Sequence, residues 1–151
     1  MLKIKIIKNL LGIFILITTF SYSQILEPVK WTTDIKKISN TEYDLIINAT
    51  IEENYHLYSQ KVPDDGPLPT VFIFEESDNY ELIGDTIEEK GHIVYDPIFK
   101  LKIKYFDTKR IFKQRIKLKN KNSFKLIGEI EFMTCNDSNC VPGDGDIEFE
   151  F

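Results

Sequence analysis

Cysteine is scarce in this sequence: 151 residues hold two. That excludes the disulfide-dense scaffolds of small secreted domains. Seven glycines and six prolines are too few for a collagen-like or proline-rich chain, and a hydrophobic content of 42% is too high for a disordered one. Positive charge is also short, with 19 Lys and Arg against 24 Asp and Glu, a net charge of −5. A nucleic-acid partner needs a basic face to neutralise phosphates, so none is expected. What remains is one acidic globular domain, because this length suits a single ordinary domain.

Long hydrophobic runs are missing except near the start. Lys3, Lys5 and Lys8 precede an apolar stretch over 10–20, and Ser21 and Ser23 put small residues where signal peptidase reads. This layout predicts a cleaved secretory signal over 1–23 and a mature domain over 24–151. The apolar stretch falls short of the about 20 residues a spanning helix needs, and no cysteine stands at the cut to carry a lipid. Removing the signal takes away three lysines and no acids, which leaves 128 residues and a charge of −8. The expected mature protein is exported to the periplasm, has no membrane span, and keeps both cysteines where disulfides persist.

Beyond residue 41 the dominant period is two, the mark of half-buried strands. Tyr43, Leu45, Ile47, Ala49 and Ile51 alternate with polar residues. So do Phe99, Leu101, Ile103 and Tyr105, then Phe112, Ile116 and Leu118, then Phe124, Leu126, Gly128, Ile130 and Phe132, the last run leading into Cys135. Shorter candidates lie at 29–38, 71–75, 80–83 and 147–151. Turn chemistry separates them at 64–69, 77–79, 96–97, 120–123 and 142–145. Seven or eight short strands at this spacing predict an all-β, immunoglobulin-like antiparallel sandwich. The lysines over 100–119 alternate with apolar residues and read as a solvated outer face.

Cys135 and Cys140 are separated by four polar residues at the end of a strand. They can meet across that loop, since bridging needs Cα atoms about 5 to 6 Å apart. A bridge closing so short a loop removes little entropy from the unfolded chain. A structural bridge and a reversible redox pair both fit this pattern. Metal binding would need further ligands, and the two histidines, His56 and His92, are distant in sequence. No metal and no cofactor are therefore expected. Nothing cationic adjoins the pair and Asp137 lies within it, so a strongly depressed thiol pKa is not expected either.

Three segments together resemble the N-terminal periplasmic domain of the thiol:disulfide interchange protein DsbD. They are the strand running from Gly128 into Cys135-x-x-x-x-Cys140-x-Pro142, the aromatic stretch 54–59 with the following Gly66-Pro67-Leu68-Pro69-Thr70, and the stretch from Tyr105-Phe106-Asp107 to Arg115-Ile116. The resemblance is to the stand-alone, Bacteroidetes-like variant and covers roughly residues 29–151. It implies an immunoglobulin-like sandwich whose Cys135/Cys140 pair exchanges disulfides with thioredoxin-fold periplasmic partners, including disulfide isomerases and cytochrome c maturation thioredoxins. It assigns Tyr105 and Phe106 to an aromatic cap over the pair, and His56 and Tyr58 to positions beside it. The best-known members carry acids before the cap aromatic, where this chain has Ile103 and Lys104; they have five residues between the cysteines, and a second proline where Gly143 stands.

The resemblance further implies a protein-disulfide reductase component fed by a separate membrane or thioredoxin-like electron donor, with Cys140 as the attacking thiolate. The alternative from the residues alone is a non-catalytic immunoglobulin-like binding or assembly module with a structural disulfide. A metal or haem chaperone using both thiolates ranks behind these.

Overall fold

The computed structural model describes residues 26–151, so the predicted signal over 1–23 lies outside the described residues. Every regular element among them is a strand: β1 (Val29–Lys37), β2 (Glu42–Ile51), β3 (His56–Tyr58), β4 (Val71–Phe74), β5 (Tyr80–Glu88), β6 (His92–Asp96), β7 (Leu101–Phe106), β8 (Lys109–Leu118), β9 (Lys125–Cys135) and β10 (Cys140–Glu150). They form two antiparallel sheets, one ordered β1-β2-β8-β5 and the other β10-β9-β3-β7-β6, with β4 paired to β9. The fold is the immunoglobulin-like sandwich that the alternation predicts.

The period-two pattern sets the core. Leu45, Ile47, Ala49 and Ile51 of β2, Phe112 and Ile116 of β8, and Leu126, Ile130 and Phe132 of β9 are buried between the sheets. Burying such side chains contributes about 1.5–3 kcal/mol each, the main force holding the sheets together. Trp31 of β1 closes one side, its ring 5.4 Å from Phe132 and 6.0 Å from Phe112. Buried Gln114 occupies the place where β5 slips register between Ile83 and Ile87. Its Nε2 donates to the carbonyls of Ile83, Gly84 and Arg115, and its Oε1 accepts from Thr86. The bulge thus supplies the partners that a buried amide needs.

Four departures from the sequence reading matter. Strands β3 and β6 are additional, β5 runs on to Glu88, and β10 begins at Cys140 instead of 147. Residues 142–145, read as a turn, are strand because their glycines serve close packing. A Cβ on Gly143 would lie 2.5 Å from Cζ of its cross-strand partner Phe132, so only glycine lets that ring lie over β10. The lysine-bearing face is also not uniformly solvated. Lys104 is half-buried, donates to Glu88 Oε1 at 2.8 Å, and lies 5.2 Å from the Phe106 ring centroid.

Strand β9 organises the second sheet. One edge pairs along its length with β10, while the other pairs with β4 at Gly128–Glu131 and with β3 at Thr134–Cys135. The connection 59–70 therefore leaves the sheet after β3 and returns beside the same strand.

Candidate functional site

Register fixes the cysteine pair. Between β9 and β10, Asn136 N donates to Asn139 O at 2.9 Å, and the Asn136 side-chain oxygen accepts from Ser138 N and Asn139 N at 2.9 and 2.8 Å. Asparagine holds such a turn by substituting its side chain for a backbone acceptor. Since 136 and 139 form the hydrogen-bonded pair, Cys135 and Cys140 fall in the next, non-hydrogen-bonded pair, the type in which Cα atoms approach most closely. Their Cα atoms are 4.0 Å apart, and the two residues form a disulfide.

Alternation places that disulfide on the outer face of the second sheet. Leu126 to Thr134 face inward at even positions, so Cys135 faces outward. On β3, Leu57 joins the main core while His56 and Tyr58 face out; His56 is the cross-strand partner of Cys135, and Tyr58 that of Tyr105. On β7, Ile103 and Tyr105 face out and Phe106 faces in. A second apolar cluster results, with Tyr58, Ile103 and Cys135 buried and Cys140 and Tyr105 packed against it. Such satellite clusters form where a connection covers a sheet face. Here the cover comes from Val62 of the 59–70 connection and Phe99 of the β6–β7 turn. Cys135 is 0% exposed, whereas Cys140 is half-buried.

A hydrogen-bonded chain runs through the cluster. The Tyr58 hydroxyl donates to Asp96 Oδ2 at 2.9 Å and lies 3.2 Å from His56 Nε2. With the phenol proton committed to Asp96, the Nε2–H of His56 donates to the Tyr58 oxygen, which leaves Nδ1 as an acceptor. Burial, then the hydrogen bond and charge of Asp96, raise the Tyr58 pKa far above 10.0, so the phenol stays protonated. Burial lowers the His56 pKa below 6.5 despite the opposing charges of Asp96 and Asp137, so the imidazole is neutral at pH 7. The His56 ring lies 4.7 Å from that of Tyr105, which in turn lies 5.7 Å from His92.

Of the six residues singled out from the sequence, the fold brings together Cys135, Cys140, His56, Tyr58 and Tyr105. Phe106 is elsewhere. Adjacent strand residues point to opposite faces, and Phe106 is 0% exposed in the main core, 5.7 Å from Phe112. The turn that brings an aromatic onto the cluster is 97–100, which carries Phe99. Asp96 Oδ1 accepts from Ile98 N at 2.8 Å and Phe99 N at 3.1 Å, pinning this turn. An acid thus stands just before the turn that carries Phe99, while Ile103 and Lys104 precede Tyr105 on β7. The signal was present as Asp96-Pro97, read from sequence only as a break between strands.

The covering connection has its own anchor. Glu88 of β5 accepts from Ser59 Oγ at 2.5 Å, Gln60 N at 2.9 Å and Lys104 Nζ at 2.8 Å. Burial alone would raise the Glu88 pKa, but these hydrogen bonds and the Lys104 charge outweigh it and hold the carboxylate below 4.5. Among the described residues, no three His, Cys, Asp or Glu come together to hold a metal ion, and no helix is long and apolar enough to cross a membrane.

Comparison with known proteins adds the following. The family described as "Thiol:disulfide interchange protein DsbD, N-terminal" matches residues 23–150. No curated protein matches the sequence. Among solved structures, the N-terminal periplasmic domain of ScsB from Proteus mirabilis superposes with a TM-score of 0.61 at 12% identity, over 85% of this chain and 49% of that one. The N-terminal domain of DsbD from Neisseria meningitidis, in its reduced form, superposes with a TM-score of 0.50 at 13% identity, over 80% and 83% of the two chains. This chain thus spans about half the length of the ScsB structure. At such identities the likeness is one of fold.

Proposed function

The chain belongs to the N-terminal domain family of the thiol:disulfide interchange protein DsbD, a family of thiol-disulfide exchange domains, and from that premise we propose that Cys135 and Cys140 are its exchanging pair. In this reading the signal is cleaved after Ser23, and the domain works in the periplasm. There it carries reducing equivalents from a membrane or thioredoxin-like donor to thioredoxin-fold partners.

The observation that supports this most is the unequal exposure of the two sulfurs on the outer sheet face, with Cys135 enclosed and Cys140 half-open. Accessibility decides which sulfur reacts. In the reduced domain the Cys140 thiolate attacks a partner disulfide, one partner sulfur leaves as a thiolate, and a mixed disulfide forms. Cys135 then loses its proton and attacks Cys140 Sγ. The second partner sulfur leaves, the Cys135–Cys140 bond re-forms, and two electrons have passed to the partner. His56, the cross-strand partner of Cys135, receives the Cys135 proton at Nδ1. Tyr58, kept protonated and tied to Asp96, holds the imidazole in the required tautomer. Phe99 and Tyr105 shield the pair until a partner docks, and Phe106 does not take part.

Single cysteine replacements test the assignment. Cys135→Ala retains the accessible Cys140 and should accumulate mixed disulfides with thioredoxin-fold proteins, seen on non-reducing gels and identified by mass spectrometry. Cys140→Ala, with only the enclosed sulfur, should capture far less. Capture by neither variant defeats the exchange reading, and stronger capture by Cys140→Ala reverses the order of attack.

A further inference from the structure

A strand at a sheet edge exposes unpaired N–H and C=O groups, and soluble proteins blunt such edges with lysines, prolines, bulges or cover. Among the described residues most outer strands carry such a device. Strand β1 bears Lys30, Lys36 and Lys37 and lies against β10, where Thr33 Oγ1 donates to Glu148 O at 2.9 Å. Strand β5 is bulged between Ile83 and Ile87 and carries Glu81, Asp85 and Glu88. Strand β4 has four residues, bounded by Pro69 and by Glu75-Glu76. Strand β6, His-Ile-Val-Tyr-Asp, pairs only with β7 and has no bulge and no lysine. It leaves Ile93 70%, Tyr95 61% and Val94 38% exposed, and the neighbouring Ile98 is 55% exposed.

The backbone phase of this edge is fixed. Lys100 N donates to Asp96 O at 2.8 Å, so the Asp96 carbonyl faces β7. Alternation along an antiparallel strand then turns the N–H and C=O of His92 and Val94 toward β7 as well, and those of Ile93 and Tyr95 toward the free edge. A second copy of β6, antiparallel and centred on Val94, sets Ile93 opposite Tyr95 of the other copy. Both members of that pair point their backbone groups outward, and it occurs twice by symmetry, which gives four hydrogen bonds. On one face the pairs are aromatic on β-branched, a favourable cross-strand combination. On the other, Val94 meets its counterpart and His92 takes the register position opposite Asp96, whose own carboxylate stays bonded to Tyr58 and the 97–100 turn.

We propose that β6 joins a second copy of this chain as an isologous edge-to-edge dimer, continuing the β10-β9-β3-β7-β6 sheet through its two-fold axis. The pairing touches the cysteine cluster, because His92 of the second copy comes beside Asp96, which holds the Tyr58 hydroxyl. Five paired residues a side cover less than the about 1,200 Å² of a standard stable interface, so the dimer is weak and depends on concentration.

Sedimentation equilibrium on the oxidised, signal-free protein from about 10 μM to about 1 mM spans the affinities such an interface gives. The expected result is a monomer–dimer equilibrium. Ile93→Pro removes an outward N–H while leaving the bonds to β7, and should weaken association at least about tenfold at an unchanged melting temperature. Should proline disturb the strand, Ile93→Lys decides, since it alters only an exposed side chain and is expected to have the same effect. A monomer at every concentration, assembly beyond a dimer, or association as strong in Ile93→Lys as in the parent would overturn the proposal.

Discussion

Tyr105 and Phe106 show how much one position along a strand decides. Both are aromatic and adjacent, yet one ring lies with the disulfide and the other fills the sandwich core. Phe106→Ala should cost about 3–5 kcal/mol in denaturant unfolding, the usual penalty for emptying a core aromatic site. Phe99→Ala should cost clearly less and speed the reaction of the reduced cysteines with a thiol reagent. An unchanged rate would remove Phe99 from the cap. His56 and His92 make a second contrast. In an NMR titration the His56 ring should protonate with a midpoint below 6.5, since burial outweighs the nearby acids. A midpoint above about 7 would leave the imidazole mostly charged at neutral pH and unable to take the Cys135 proton. The cysteine spacing marked Cys135 and Cys140, and the family resemblance marked His56, Tyr58, Tyr105 and Phe106, of which the fold sets Phe106 apart in the main core. Neither revealed Phe99 and Asp96, whose roles depend on a turn folding back over a sheet face.

Among the elements, the long alternating strands β2, β8 and β9 were legible because each buries one whole face and leaves the other wet. Strand β3, at three residues, is too short to show a period, and β6 does not alternate in burial because it overhangs the edge. The start of β10 was hidden by glycine and proline, which usually mark turns but here admit the Phe132 ring. The Glu88 anchor makes the 59–70 connection sensitive to acid. Its folded pKa is depressed, so its contribution is present above 4.5 and is lost as pH falls through the folded value. His56 acts in the same direction. Its folded pKa is also depressed, so the unfolded chain takes up the proton first and stability declines below 6.5. Denaturation midpoints across about pH 2 to 8 should therefore fall toward acid. Glu88→Gln should flatten the arm below 4.5, while an unaltered profile would show that Glu88 does not secure the connection.

For the whole molecule, the sandwich and the disulfide are nearly independent. The main core lies between the sheets, whereas the bridge closes a loop of six residues on the outside of one of them. In the loop-entropy account so small a ring stabilises by only about 2 kcal/mol, so the reduced domain should remain folded. That separation lets a domain change redox state without losing its shape, as exchange requires. Edge pairing through β6 would set two such sites in one continued sheet. The central claim is that the Cys135–Cys140 bond is exchanged in use and does not merely pin a hairpin. Its most direct test is the equilibrium reduction potential of the pair, measured against a defined thiol–disulfide buffer. An exchanging pair predicts a value above about −300 mV, in the range of labile bridges; a value well below it, in the range of structural disulfides, would contradict the account.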